Sequence, residues 1–197
     1  MHLVAITSRE SEIFGAVHDA IERSWFEFLS LCGVVPVFLP NDVNAASALL
    51  RRCEPSGVIL SGGGEIFEIS GEETSRDSVE RFVVRWAEEN SKPILGVCRG
   101  MQKLLAMEGV VSVPVGGHIA TRHRIFGPDV DREVNSFHRF GAKGKVGRYR
   151  VRAEAADGVV EWMEDRNALR TAIMWHPERE QPISREDIDL VRDALNV

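Results

Sequence analysis

The sequence predicts an α/β protein built around a mostly parallel sheet. Three observations support this prediction. Short apolar runs alternate with longer segments of helical periodicity, glycines occur where these runs and segments join, and the pattern becomes strand-rich after residue 110. The chain has 197 residues, 44% hydrophobic and 27% charged, which is a globular composition large enough to bury a core without disulfides. We therefore expect a single domain over residues 1–197.

Four apolar runs are the predicted strands of the parallel part of the sheet. They cover Leu3–Thr7, Val34–Leu39, Gly57–Leu60 and Pro93–Val97. The segments between them are predicted helices, because their apolar residues recur at spacings of three and four. These helices cover Val17–Leu31, Ala45–Arg52, a stripe from Val79 to Trp86, and Arg99–Met107.

The last part of the chain has a different pattern, with strand-like pieces separated by glycine and proline. Further strands are predicted at Val110–Val115, Val146–Arg152 and Ala172–Trp175. A closing helix is predicted over Ser184–Leu195, because the serine is a good N-cap and the apolar residues after it have helical spacing. Glycine, histidine and arginine crowd together between residues 116 and 147, which predicts loops over a site.

The charge and the cysteines exclude several classes of protein. Thirty acidic residues against 24 basic ones give a formal net charge of −6, whereas nucleic-acid polymers and membrane surfaces attract a positive field. No apolar run is long enough to span a bilayer, and the N-terminus lacks the features of a signal peptide. Cys32, Cys53 and Cys98 are too few and too irregular for a disulfide framework or a metal site. We expect a cytoplasmic protein without a metal or cofactor.

The first candidate for chemistry is the run Gly96-Val97-Cys98-Arg99-Gly100, at a predicted junction between strand and helix. Small residues on both sides of a sharp turn can present a nucleophile at the carboxyl edge of a sheet. The positive end of the following helix favours the thiolate form of a cysteine placed there. Taken alone, a cysteine after a buried strand is more often a small core residue.

A second candidate is His176-Pro177-Glu178, which follows the last predicted strand. A thiolate nucleophile needs a base that later protonates the leaving group, and a carboxylate that orients this base. The alternative is a surface turn, since proline favours turns and glutamate is usually solvated. The pattern of a zinc-binding helix is absent.

A third candidate is the turn Ser61-Gly62-Gly63-Gly64, at the end of another predicted strand. Consecutive glycines let backbone N–H groups approach a ligand closely, which suits an oxyanion hole. A phosphate-binding loop is the rival interpretation, but its sequence patterns are missing, and an ordinary turn is the alternative.

These three motifs occur in an order that resembles the class I glutamine amidotransferase superfamily over nearly the whole chain. Gln102 and the segment Asn135-Ser136-Phe137-His138 are further matches. The resemblance implies a flavodoxin-like three-layer sandwich with an added strand-rich segment, and a catalytic triad of Cys98, His176 and Glu178. It also implies that a γ-glutamyl thioester forms without a cofactor. The substrate-binding residues that it implies are Gly62, Gly63, Gly64, Arg99, Gln102, Asn135, Ser136, Phe137, His138 and Arg139, with oxyanion N–H groups from Gly63 and Arg99.

Within that superfamily, the arginine after Cys98 resembles stand-alone γ-glutamyl hydrolases of the peptidase C26 type more than ammonia-supplying domains. Arg139 and Phe140 depart from the polyamine-type pattern of these hydrolases. A basic stretch suits a leaving group that carries phosphate, as in γ-glutamyl-CDP-amidate hydrolases of capsule biosynthesis, which the sequence also resembles. This stretch comprises Arg122, His123, Arg124, His138 and Arg139.

Three alternatives stay open at this point. The basic stretch is equally explained as a solvated or acid-paired loop. The substrate is then a γ-glutamyl-polyamine or γ-glutamyl-GABA, or the protein is a glutaminase subunit that passes ammonia to a partner synthase. A small γ-glutamyl molecule is the expected ligand in each case, and neither a homodimer nor a synthase partner is excluded.

Overall fold

The computed structural model describes residues 1–197. Its strands are β1 (His2–Thr7), β2 (Arg9–Ile13), β3 (Ala16–Ala20), β4 (Val34–Leu39), β5 (Gly57–Leu60), β6 (Ile94–Val97), β7 (Val113–Pro114), β8 (Ile119–Gly127), β9 (Val130–Phe137), β10 (Phe140–Gly141), β11 (Arg150–Ala155), β12 (Val160–Asp165) and β13 (Arg170–Ile173). Its helices are α1 (Ser24–Leu31), α2 (Val43–Cys53), α3 (Phe67–Ser70), α4 (Ser75–Glu89), α5 (Arg99–Met107) and α6 (Arg185–Leu195), with a short 3₁₀ helix at Pro177–Arg179. None of the helices is both long and apolar enough to cross a lipid bilayer.

A nine-stranded sheet forms the centre of the molecule, in the order β4-β1-β5-β6-β13-β12-β11-β8-β9. The first five strands in this order run parallel to one another. The last four extend the sheet in antiparallel fashion beyond β13. The predicted α/β fold with a large central sheet is therefore confirmed, and the strand-rich addition is this antiparallel extension.

Helices cover both faces of the parallel strands, which gives three layers. One core cluster packs α2, α4 and α5 against residues such as Ala5 of β1, and the other packs α1 and α6 against its neighbours Val4 and Ile6. Successive side chains of a strand point to opposite faces, so a strand buried on both faces must be apolar throughout. Every residue of β5 and β6 is buried, which explains why these central strands are continuous apolar runs.

The predicted helix over Val17–Leu31 is wrong in its first half. Residues 9–20 form a β2–β3 hairpin, whose turn at Phe14 and Gly15 has positive φ angles, and helix α1 begins only at Ser24. Val17 matched the helical spacing, but its side chain is largely exposed on the hairpin. An apolar period therefore indicated a helix where a local turn directs the chain into a hairpin.

The predicted loops between residues 116 and 147 are also wrong, because β8 and β9 form a long antiparallel ladder there. Arg122, His123 and Arg124 are consecutive in β8, so the imidazole lies on one face of the strand and the two guanidinium groups lie on the other. Two of the predicted late strands differ in their bounds. Of the strand predicted at Val110–Val115, only Val113–Pro114 is a strand, and the strand predicted from Val146 begins at Arg150, after Gly147 with its positive φ. The third, at Ala172–Trp175, ends at Ile173, and β12 was not predicted.

Candidate active site

Cys98 occupies a strained turn between β6 and α5, at the carboxyl edge of the sheet. Its φ of 51° and ψ of −102° are unusual for a residue with a side chain. The turn is held because the Cys98 N–H donates to the Ile173 carbonyl of β13 at 2.8 Å, while the Cys98 carbonyl accepts from the Gln102 N–H. The surrounding hydrogen bonds thus fix a conformation that directs the side chain away from the helix axis.

The two glycines of the motif are required by close packing. A Cβ on Gly100 would lie 2.2 Å from the Leu60 carbonyl oxygen, and a Cβ on Gly96 would lie 2.9 Å from the Gly100 backbone. Any larger residue at these positions would push α5 away from the strands that support it. The spacing of the G-x-C-x-G motif therefore follows from how closely helix and sheet approach beneath Cys98.

His176 and Glu178 lie beside this turn, after the end of β13. The imidazole Nδ1 and the Glu178 Oε1 are 2.6 Å apart, and both side chains are buried. Burial disfavours the charged imidazolium, but the negative charge of Glu178 and the hydrogen bond with the Cys98 side chain outweigh it and raise the pKa of His176 to about 10. Glu178 is therefore paired with the imidazole, and Cys98 and His176 both pack against Gly62.

Strand β9 holds His176 in place through Asn135. The Asn135 side chain accepts from the His176 N–H at 2.9 Å and donates to the His176 carbonyl at 2.7 Å, and it also donates to Glu180. The Phe137 ring stands nearly perpendicular to the imidazole, with 5.8 Å between ring centroids, and lies under the Arg179 guanidinium. The backbone and one side of the imidazole are therefore fixed by residues of this strand.

The other polar side chains of residues 135–138 also make hydrogen bonds within the protein. The Ser136 hydroxyl donates to the His118 carbonyl at 2.8 Å. His138 Nδ1 lies 3.1 Å from the Phe140 carbonyl, to which the Gln102 amide donates at 3.0 Å. Among the side chains of this segment, the Phe137 ring is the exposed one.

The glycine turn is held from behind by Arg76 of α4. Its guanidinium donates to the carbonyls of Ser61, Gly62 and Gly63, at 2.6, 3.3 and 2.7 Å. Because the C=O and N–H of a trans peptide point in opposite directions, the Gly63 N–H faces away from Arg76. Gly62 packs against the predicted triad, since a Cβ there would lie 2.4 Å from His176 Cε1 and 3.4 Å from the Cys98 Cβ.

The Arg99 side chain lies in a buried ion cluster, not in a ligand pocket. It pairs with Asp77 at 3.0 Å and with Glu80, and Glu80 in turn pairs with Arg76 at 2.8 Å. Burial raises the pKa of Asp77, but Arg99 together with hydrogen bonds to Thr74 brings it below its usual range. The arginine after the cysteine thus connects the elbow to the residue that holds the glycine turn.

The arginines of the basic stretch lie in different environments. Arg122 pairs with Glu180 at 2.8 Å, and Arg124 pairs through two nitrogens with Asp131. Both arginines project from the same side of β8, and acidic partners offset their charge. Arg139 is exposed and lies outside these ion pairs.

The two histidines of the basic stretch, His123 and His138, contact a buried carboxylate that the sequence analysis did not identify. Glu161 of β12 is fully buried, and its Oε1 lies 3.3 Å from His118 Nδ1, 3.3 Å from His123 Nε2 and 3.2 Å from His138 Nε2. We call these four residues the histidine cluster. Sequence reasoning missed it, together with Arg76, because no short motif links residues on separate elements.

The chain is similar to known proteins of one family. The profile of the Peptidase C26 family matches residues 2–124 and 111–178. The γ-glutamyl-CDP-amidate hydrolase of Campylobacter jejuni is 33% identical over 134 residues, which cover 66% of each chain. The γ-glutamyl-γ-aminobutyrate hydrolase of Escherichia coli is 24% identical over 217 residues, which cover 89% of this chain and 85% of that one.

Solved structures show the same fold. A glutamine amidotransferase from Thermotoga maritima aligns with a TM-score of 0.70 and 16% identity, covering 100% of this chain and 85% of the other. The resemblance to glutamine amidotransferases noted in the sequence is therefore confirmed, and the family relatives support a hydrolase. The chain belongs to the Peptidase C26 family.

Proposed function

We propose that this protein is a cysteine hydrolase that cleaves a γ-glutamyl amide bond through a γ-glutamyl thioester. The observation that carries the proposal is that Cys98, in its strained turn, lies beside the same glycine as His176, whose Nδ1 is 2.6 Å from Glu178. A nucleophile, a base within reach and a carboxylate that fixes the base are the parts that acyl transfer requires. The C. jejuni and E. coli relatives, both named as γ-glutamyl hydrolases, support this substrate class.

In the first half of the reaction the Cys98 thiolate attacks the γ-carbonyl carbon and forms a C–S bond. The resulting oxyanion accepts hydrogen bonds from the N–H groups of Gly63 and Arg99. As the intermediate collapses, the C–N bond breaks and the His176 imidazolium gives its proton to the departing nitrogen. The elevated pKa of His176, about 10, keeps this proton available at neutral pH.

In the second half, water attacks the thioester while neutral His176 accepts a proton from it. The C–S bond then breaks, glutamate leaves, and the pair of thiolate and imidazolium is restored. Glu178 holds the imidazole in one orientation through both halves and forms no bond to the substrate. Gln102 and the backbone of residues 135–138 line the glutamyl site, beside the glycines at positions 62 and 64.

Two features support the proposed oxyanion hole. Arg76 engages the carbonyls of the glycine turn, so the Gly63 N–H is directed to the opposite side. Arg99 is the first residue of α5, and an N–H at that position has no partner within the helix. Both donors are fixed before a substrate arrives, which is the condition for strong stabilisation of a developing charge.

For the leaving group, the first candidate is a nucleotide phosphoramidate, as in γ-glutamyl-CDP-amidate. The C. jejuni relative with that name is 33% identical, and Arg139 is exposed without an acidic partner. The second candidate is γ-aminobutyrate, because the E. coli hydrolase aligns over 89% of this chain. A glutaminase that needs a synthase partner would show little activity on any free γ-glutamyl compound.

The nucleophile is tested by labelling with an electrophilic glutamine analogue, followed by peptide mass analysis. We expect the label on Cys98, and Cys98→Ala should abolish turnover and leave the circular dichroism spectrum unchanged. Burial raises the pKa of the Cys32 thiol to about 12, so that residue stays unreactive. Cys53→Ala serves as the matched control and should retain both labelling and activity. Full activity in Cys98→Ala would reject the mechanism.

The leaving group is tested by comparing Arg139→Ala with the control variant Arg124→Ala. Arg124 is a suitable control because its guanidinium already pairs with Asp131. If Arg139 binds a phosphate, its loss should raise KM for γ-glutamyl-CDP-amidate by about 10- to 150-fold, which corresponds to a charge-assisted hydrogen bond of about 1.5–3 kcal/mol. KM for γ-glutamyl-γ-aminobutyrate should change little, and Arg124→Ala should resemble the wild type. An equal KM increase for both substrates would place Arg139 in glutamyl binding instead.

A further inference from the structure

We infer that the histidine cluster is a binding site for a divalent transition-metal ion of the zinc type. The ligand atoms are His118 Nδ1, His138 Nε2 and Glu161 Oε1, and His123 Nε2 of β8 lies beside them, 3.3 Å from Glu161 Oε1. This site is separate from the proposed reaction at Cys98, and its existence does not depend on the identity of the γ-glutamyl substrate.

The spacing of the ligand atoms fits a single ion at their centre. The three imidazole nitrogens lie 3.2–3.3 Å from Glu161 Oε1, and His118 Nδ1 lies 3.2 Å from His138 Nε2. Ligands bound tetrahedrally to zinc at 2.0–2.2 Å are about 3.3–3.5 Å from one another. The atoms of His118, His138 and Glu161 therefore already stand close to the separations that a bound ion would impose.

The hydrogen bonds on the far side of the rings direct bare nitrogens into the cluster. His138 Nδ1 faces the Phe140 carbonyl at 3.1 Å, and because a carbonyl only accepts, that nitrogen carries the proton. His118 Nε2 faces the Asp157 carboxylate at 3.5 Å, which likewise retains the proton on the outer nitrogen. With the proton on each outer nitrogen, the inner nitrogens of the neutral rings would both be free to bind a cation beside Glu161. Metal-binding histidines are oriented in this way by carbonyl and carboxylate partners.

Other buried polar atoms of the histidine cluster lack a hydrogen bond. Both oxygens of Glu161 and both nitrogens of His123 make no hydrogen bond, although Glu161 is fully buried. An unpaired buried carboxylate is costly, and a cation at the point on which these atoms converge would satisfy it. Imidazole nitrogen with one carboxylate is a donor set that suits zinc and neighbouring transition metals rather than calcium or magnesium.

Such an ion would act by holding strands together. Its ligands lie just before β8, just after β9 and near the start of β12, which are separate elements of the chain. Strand β9 also carries Asn135, which clamps the backbone of His176. The metal would therefore stabilise the antiparallel extension and, through it, the position of His176, without contacting the substrate.

The test uses the full chain purified without a histidine tag. Metal content is measured by mass spectrometry, and Co²⁺ is then added to chelator-treated protein as a spectroscopic probe. We expect one zinc ion per chain, intense visible d–d bands from tetrahedral Co²⁺, and a thermal midpoint that falls with chelator and recovers with Zn²⁺. Wild-type protein that neither retains zinc, nor shows the Co²⁺ bands, nor gains stability from Zn²⁺ would overturn the inference.

Two variants locate the ion. Glu161→Gln should abolish zinc binding, and Asp157→Asn, which changes a partly exposed residue outside the ligand set, should weaken zinc affinity by about 10- to 100-fold. The matched control is His18→Asn, because His18 is exposed on the β2–β3 hairpin and distant from the cluster. If Glu161→Gln fails to fold, the zinc affinity of Asp157→Asn still tests the location of the ion. Wild-type affinity in Asp157→Asn, or a loss of affinity in His18→Asn, would reject this location.

Discussion

The substitution Gly62→Ala tests the proposed geometry of His176 by adding one methyl group. The Cβ of an alanine at position 62 would lie 2.4 Å from His176 Cε1 and 3.2 Å from Nε2. Gly62 does not have a positive φ, so alanine fits the backbone there and the effect is confined to the contact. Two carbon atoms in ordinary contact are about 3.5 Å apart, so the imidazole must move by about 1 Å.

A shift of this size acts on both hydrogen bonds of the ring. The distance of 2.6 Å between Nδ1 and Glu178 leaves little room for movement, and the Cys98 Cβ would lie 3.4 Å from the same added Cβ. Misplacing a reacting group by about 1 Å can reduce the rate about 100-fold, so we expect kcat to fall by about that factor. KM should change less than kcat, because the closest contact of the added methyl group is with His176.

The assay measures glutamate release under saturating and limiting substrate, together with the thermal midpoint. Gly116→Ala is the matched control, since an added Cβ there meets no atom within 4 Å and its φ is not positive. It should retain the activity and stability of the wild type. Wild-type kcat in Gly62→Ala would show that His176 does not work from its position in the structure, and the proposed mechanism would fail with it.

Two further predictions concern the partners of His176. Asn135→Ala should lower kcat and the thermal midpoint with little change in KM, because its amide holds the His176 backbone; a large rise in KM alone would make it a glutamyl-binding residue instead. The pKa of His176 is raised to about 10, so the imidazolium persists at neutral pH and is lost as pH rises through that value. Glu178→Gln removes the negative charge that raises this pKa, and the alkaline limb of kcat/KM should move to lower pH. A pH profile with an unmoved limb would contradict this assignment.

The parts of the site that the sequence predicted are those fixed by local chain geometry. Helix α5 starts at Arg99 as predicted, because a nucleophile turn with a glycine on each side must enter a helix directly. Helix α6 follows Ser184, whose side chain accepts from the Asp187 N–H as expected of an N-cap. In each case the residues that determine the element are within a few positions of one another.

The parts that escaped prediction depend on residues brought together from separate elements. The arginine after Cys98 was assigned by resemblance alone, whereas its side chain completes an ion cluster with Asp77 and Glu80 of α4. Glu161 carries no local signal, since a single glutamate in an amphipathic strand is usually solvated. Charged and polar residues in a buried position are recognisable only once their partners are known.

The strand register explains how distant motifs meet. In the parallel pair of β6 and β13, Val97 lies opposite Ile173, so both strands end at the same edge of the sheet. Cys98 is the residue after Val97, and His176 comes three residues after Ile173. The Cys98 N–H bonds to the Ile173 carbonyl, which ties the elbow directly to the strand that delivers the histidine. A slip of one residue in this register would reverse the faces of β13 and remove His176 from the sulfur. The antiparallel strands beyond β13 therefore do more than widen the sheet: through β12 they fix that register, and through Asn135 of β9 they fix the histidine that follows it.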